Sequence, residues 1–234
     1  MTMRWRDHGL QITTHHGVTL KSVEAFIADN KSWIKTERKR LEDLTRIPSP
    51  DPSTDQEKNP LIFYQGRPTR IKLKLNPEHK GKSSVDADDR NITIHLPADS
   101  RLNCTRILEN WLKSNARLSI QKELEMVLSQ LEEEPVKFSI RDQKSRWGSC
   151  STARRMSFNW RLIMAPPLSL RYVVIHEAAH LHHHDHSPRF WQLVETLMPD
   201  YRHHQLWLRQ HQIALFADLG ARLQTLKPEN RIGS

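Results

Sequence analysis

Hydrophobic positions along this chain change period several times, and each change marks an element. Residues 10–20 alternate around Gly17 and predict a short hairpin. Val23, Phe26, Ile27, Trp33 and Ile34 then recur at near-helical spacing, which predicts an amphipathic helix to about residue 44. Pro48, Pro50, Pro52 and Pro60 punctuate a Ser/Asp/Asn-rich stretch that reads as an exposed loop or linker. Alternation of period two returns at 61–68 and 70–75, two strands around a turn containing Gly66. It returns again at 91–96, after a polar turn at 86–90.

The second half is more helical. Leu108, Trp111, Leu112, Leu118, Leu124, Val127, Leu128 and Leu131 mark the apolar stripe of a long helix over about 103–132. Three short strands are predicted near 136–142, 146–150 and 156–163. Pro166 and Pro167 then open a helix over about 168–182, because a proline at the first helical position loses no needed hydrogen bond. Ser187-Pro188 and Pro199-Asp200 start two more helices that end near Gly220. Strands followed by helices, rather than alternating with them, predict an α+β fold. The predicted division is an N-terminal α/β part over 1–98, a second domain over 99–220 and a tail over 221–234.

Composition narrows the class. Hydrophobic residues make up 37% of the 234, and no apolar run approaches the ~18 residues of a membrane span, so no membrane role is expected. The N-terminus lacks the apolar stretch of a secretory signal. Two cysteines, Cys104 and Cys150, cannot build a disulfide framework, which favours a reducing, cytoplasmic setting. The net charge is +9. Much of the excess lies in 137–161, where Lys137, Arg141, Lys144, Arg146, Arg154, Arg155 and Arg161 face one acid, Asp142. Such strands could meet DNA or an acidic partner. They could equally be a solvated face whose arginine stems cover apolar surface.

Histidine carries the sharper signal. Of 14 in the chain, eight lie between His176 and His204. His176-Glu177-Ala178-Ala179-His180 places two imidazoles one helical turn apart on one face, able to chelate one zinc ion. Glu177 lies beside them, placed to take a proton from a metal-activated water. A catalytic zinc takes three protein ligands and keeps one position open. His183 points nearly the same way as His176 but sits ~10 Å along the axis, so the third ligand has to come from beyond the helix. His186, just before Pro188, is the first choice; Glu195 on the following helix is the glutamate alternative. His182, His183 and His184 are expected at the exposed helix end, and Asp185 could orient a ligand imidazole. The metzincin spacing is matched numerically, but His183 stands where that pattern has glycine.

Four blocks carry a family resemblance: Arg146-Trp-Gly-Ser-Cys-Ser, Ser157-Phe-Asn-Trp-Arg-Leu-Ile-Met-Ala-Pro-Pro, Tyr172-Val-Val-Ile-His-Glu-Ala-Ala-His and His186-Ser-Pro-Arg-Phe-Trp. With the lead-in at 142–145, their order and spacing resemble the YgjP-like zinc metallopeptidases, relatives of SprT and Spartan-type proteases. In those relatives the third ligand sits in a His-Gly-Pro-x-Phe setting, and here Ser187 replaces the glycine. The resemblance is specific over 136–201 and looser over 26–37 and 61–96. It implies a zincin-like domain with a short antiparallel sheet and an active-site helix. It also implies His176, His180 and His186 as ligands of one Zn2+ per chain, Glu177 as the base, and a peptide or protein as substrate. By analogy with zincins, 146–150 would be the sheet edge, bringing Arg146, Trp147 and Cys150 near the cleft; a core tryptophan and a buried thiol are the plainer roles. Tyr201, His203 and His204 are candidates to stabilise an oxyanion, and none is assigned. The rival function is a nucleic-acid-associated adaptor with a structural metal site.

Overall fold

The computed structural model describes residues 1–6, 9–15, 17–36, 59–76, 83–97 and 103–228. They fall into two units, Met1–Arg46 and Ile47–Ser234. In the first unit, β1 (Thr2–Arg6) and β2 (Gly9–Thr13) pair antiparallel, with Thr2 opposite Thr13. The hairpin therefore lies earlier than the 10–20 predicted. Gly17, at φ +89°, serves the approach to a helix rather than a hairpin turn. That helix, α1 (Leu20–Asp29), is capped by Thr19, whose hydroxyl accepts from the Ser22 N–H at 3.2 Å. It stops at Asn30, whose side chain donates back to the Phe26 carbonyl at 2.8 Å, and helical backbone resumes over 31–36. One continuous helix is thus not formed. Residues 37–44 and most of the proline-rich stretch lie outside the described residues.

The second unit holds a four-stranded sheet in the order β3 (Leu61–Tyr64), β4 (Arg67–Asn76), β6 (Asn91–Pro97), β5 (Ser84–Ala87). β5 was not predicted and overlaps the start of the polar turn expected at 86–90, because four residues, mostly exposed, leave little periodic trace. The β3–β4 turn does more than reverse the chain. Gln65 and Gly66 both have positive φ, and their N–H groups donate to the Ile163 and Met164 carbonyls at 2.9 Å. A Cβ on Gly66 would come within 2.6 Å of Pro166 Cγ, so only glycine lets this turn seat against the start of the next helix.

The long helix α2 (Cys104–Gln130) buries Leu108, Leu112, Ala116, Ile120, Leu124, Val127 and Leu128. Leu118, predicted on that face, is 67% exposed. Six residues beyond Leu112 is about 240° around the helix, so counting leucines misplaced the stripe that Ala116 and Ile120 continue.

A three-stranded sheet follows, in the order β7 (Phe138–Arg141), β9 (Met156–Asn159), β8 (Gly148–Cys150). It is not the purely antiparallel sheet predicted: β8 pairs antiparallel with β9, but β7 pairs parallel. Residues 142–147 carry the chain past the central position, leaving it for β9. Asn159, wholly buried, holds this crossover: its Nδ2 donates to the carbonyls of Gln143 (2.6 Å) and Arg146 (3.2 Å). Its Oδ1 accepts from the Arg161 N–H at 3.1 Å, which turns 160–164 into a 3-10 helix where strand was expected. Helices α3 (Pro167–Ala179), α4 (Pro188–Leu197), α5 (Tyr201–Phe216) and α6 (Leu219–Leu223) complete the unit. Gly220 lies inside α6; the break falls before it, at Asp218, whose carboxylate accepts from the Gly220 N–H.

Asn159→Ala leaves the Gln143 and Arg146 carbonyls and the Arg161 N–H without this partner. It is expected to lower unfolding free energy by about 2–4 kcal/mol in urea titrations, a loss that Leu118→Ala on the exposed face does not produce.

Candidate metal centre

Helix α3 is buried on nearly every side: Leu170, Tyr172, Val173, Val174, Ile175, Glu177, Ala178 and Ala179 all lie in the interior. A helix packed all round cannot rotate, so the directions of its side chains are set by the core. His176 and His180 leave it on one face, their ring centroids 5.1 Å apart. The helix ends at Ala179, earlier than predicted, and 181–183 continue as a turn hydrogen-bonded back to Ala178 and Ala179. The chain then returns, and His186 meets the pair just ahead of α4. Ligand nitrogens of His176, His180 and His186 lie within 4.8 Å of one another, with His186 Nε2 3.1 Å from His176 Nε2.

Phe190, fully buried on the first turn of α4, lies against all three rings, at centroid distances of 5.0, 4.6 and 4.8 Å from His176, His180 and His186. Trp191 flanks His176 and stacks on His186. His180 is also fixed by a hydrogen bond from Nδ1 to the His183 carbonyl at 2.9 Å, which leaves Nε2 as its ligating nitrogen. His176 Nδ1 is buried without a partner, and the Tyr172, Phe190 and Trp191 rings hold its plane instead.

These residues fit a zinc ion. Two imidazoles bound at about 2.0–2.1 Å in tetrahedral geometry are about 3.3 Å apart, close to the separation seen between His176 and His186. Burial, then His180 and His186 beside it, hold His176 down to about 3, so it presents a neutral lone pair at physiological pH. Burial also lowers His180. The same desolvation acts oppositely on the acid, pushing Glu177 up to about 7 while Arg146 pulls against the shift.

The edge strand β8 covers Glu177. A Cβ built on Gly148 would come within 2.6 Å of Glu177 Oε1 and 2.8 Å of its Cγ, so the strand can lie this close only because Gly148 has no side chain. Cys150 sits farther along the same strand, its thiol pushed up by burial and by Glu177. Arg146 is exposed on the approach to β8, and Trp147 packs edge-on against Phe216 at 4.8 Å, the core role.

The other sequence candidates go elsewhere. Glu195 is exposed and outside the cluster, which His186 completes. Asp185 accepts from the Ser187 N–H rather than orienting an imidazole; that task falls to the His183 carbonyl. His182 pairs with Glu133, a residue that no local pattern singled out. His204 is buried between Ser169 Oγ (3.4 Å) and Asp200 Oδ2 (3.2 Å). The connectivity is that of a hydrolase triad, but Ser169 is 0% exposed and cannot meet a substrate. Tyr201 is buried, stacked on Trp191 and Tyr172, and its hydroxyl accepts from Arg202. In the basic block, Arg161 pairs with Asp142 and lies over Trp160 and Phe216, Arg154 pairs with Glu133, and Arg141 donates to Ser139. Those three cations brace the small sheet. No helix among the described residues is long and apolar enough to cross a membrane.

A sequence model of the family described as YgjP-like, metallopeptidase domain, matches residues 1–211. No curated protein gives a match to the chain.

The raised Glu177 carboxyl has a consequence for stability. In the metal-free protein the folded state keeps its proton to about pH 7, whereas the unfolded chain releases it near 4.5. The stability held by the protonated form is complete below pH 4.5 and lost as pH rises through 7. Glu177→Gln, uncharged throughout, is expected to stabilise the chelator-treated protein by roughly 2–3 kcal/mol at pH 8 and by almost nothing at pH 4. Urea midpoints at the two pH values check it.

Proposed function

The chain belongs to the YgjP-like metallopeptidase family, and we propose that it hydrolyses peptide bonds with one zinc ion held by His176, His180 and His186. The observation that carries this reading is the convergence of three imidazole nitrogens beside a buried carboxylate on the same helix. Three neutral imidazoles are a donor set that suits zinc and leaves a fourth position for water or substrate. Zinc in such a site lowers the pKa of water toward ~7 and polarises a carbonyl.

The protein's own part is proton handling and alignment. Glu177 accepts a proton from the attacking water as its oxygen bonds to the scissile carbonyl carbon. It passes that proton to the amine nitrogen as the C–N bond breaks, so it ends the cycle as it began. A carboxyl near pH 7 suits both transfers, since neither protonation state is strongly favoured. The ion's positive charge would draw Glu177 toward its ionised form, the form that begins the cycle. Gly148 keeps the carboxylate seated, and Phe190 keeps the three rings in one arrangement. Water and peptide reach the site from the side on which His186 is exposed.

Glu177→Gln is expected to lower kcat on an unfolded protein substrate by roughly a hundredfold or more while zinc content stays at one per chain. Cleavage equal to wild type removes Glu177 from this role. His186→Ala is expected to lose zinc in metal analysis. Gly148→Ala, which forces the carboxylate aside, is expected to keep the metal and lose kcat.

A further inference from the structure

We infer that Glu133 is a positioning residue for the metal centre, acting through His182 on the turn that carries the third ligand. The inference rests on the metal reading above. Glu133 lies just beyond the end of α2, and its two carboxylate oxygens reach different elements. Oε2 accepts from Arg154 Nη2 at 2.6 Å, on the turn joining β8 to β9; Oε1 lies 3.2 Å from His182 Nε2, in the turn after α3. The carboxylate is 18% exposed, while its partners stand at the surface, Arg154 at 45% and His182 at 36%.

His182 is two residues beyond His180, and its neighbour His183 supplies the carbonyl that fixes His180 Nδ1. The same turn goes on to His186. Holding His182 therefore restrains the short segment that presents one ligand nitrogen and orients another. The second contact ties that segment to the β8–β9 turn, whose first strand lies on Glu177 through Gly148. One carboxylate thus links the metal-binding turn to the strand that seats the base.

The backbone on both sides of the link is unusual. Among the described residues, Gln65, Glu132 and Arg154 are the non-glycine residues with positive φ, and two of these adjoin this contact. At Glu132 (φ +55°) the helix closes in a Schellman arrangement, with the Glu132 N–H donating to Ser129 and the Glu133 N–H to Leu128. Arg154 (φ +56°) closes the turn by donating to the Ser151 carbonyl at 2.9 Å. Left-handed backbone at residues with a Cβ is unfavourable and persists where the surroundings demand it. Here it delivers Glu133 and Arg154 to each other.

The test measures zinc affinity by competition with a chromophoric chelator, for wild type, Glu133→Ala, His182→Ala and the double variant. Each single variant is expected to bind zinc roughly ten- to a hundredfold more weakly, the size of effect that groups outside the ligand set exert. The double variant is expected to be no weaker than the worse single one, because both act through one contact. Wild-type affinity in the single variants, or losses that add in the double one, would overturn the inference. Urea midpoints in chelator separate a general loss of stability from this role, since only a positioning role gives non-additive zinc affinities. Should Glu133→Ala not fold, His182→Ala and Arg154→Ala decide: a tenfold loss in either supports the link, and full affinity in both refutes it. A wild-type protein that takes up no zinc refutes the metal reading itself, a result distinct from full affinity in the variants.

Discussion

An α-helix can aim two imidazoles at one point but not three. One turn separates His176 from His180, and the next residue on that face lies ~10 Å from the first. Everything around the centre is a consequence of this limit. The chain has to stop the helix, turn, come back and stay, and each step has its own device. Ala179 ends the regular helix and 181–183 bond back onto it. Pro188 restarts helical backbone two residues after His186, and Phe190 then places one ring against three imidazoles. The third imidazole is held as much by the residues after it in the chain as by those before it.

Burial is the other half of the design, and it acts on two groups in opposite directions. Desolvation lowers His176 to about 3 and raises Glu177 to about 7. Both shifts favour the uncharged form, so the metal-free centre avoids isolated buried charge. A neutral His176 is ready to ligate without first losing a proton, whereas Glu177 needs a nearby positive charge to ionise fully. The burial that raises the Glu177 carboxyl therefore makes its ionised form a liability to the empty fold.

How much of this is readable in the sequence depends on range. The long stripes and the four-residue gap between His176 and His180 are local, and α2, α3 and the two imidazoles on one face follow from them directly. The six-residue gap to His186 is nearly local, and Pro188 marks the return. What could not be read are contacts between distant positions. Asn159 organises a crossover 13 and 16 residues earlier through its side-chain amide, which makes the sheet mixed and ends β9 early. Ala116 and Ile120 continue the buried face in place of Leu118, which the predicted stripe included. Short strands such as β5 carry too few residues for a period to show. Gly148 falls in the first block of the family resemblance, but only the approach of Glu177 explains why it must be glycine.

Residue choice at the two strained positions separates structural need from something further. Glycine relieves the penalty of positive φ, about 1–2 kcal/mol, and sequence rules favour it at the residue after a helix end. At Arg154 glycine would remove the guanidinium that holds Glu133, so strain and side chain are retained together. At Glu132 nothing in the structure explains the side chain; the backbone conformation there matters because it sets the direction of the next residue. The two positions thus differ in kind. One keeps an unfavourable backbone for its own side chain, and the other for its neighbour's. Both end at the carboxylate of Glu133, which joins the end of α2, the turn above the small sheet and the turn that carries His186. A centre whose third imidazole must return from outside its helix gains most from restraint at that turn, and Glu133, aimed by the left-handed backbone at Glu132, reaches it through His182.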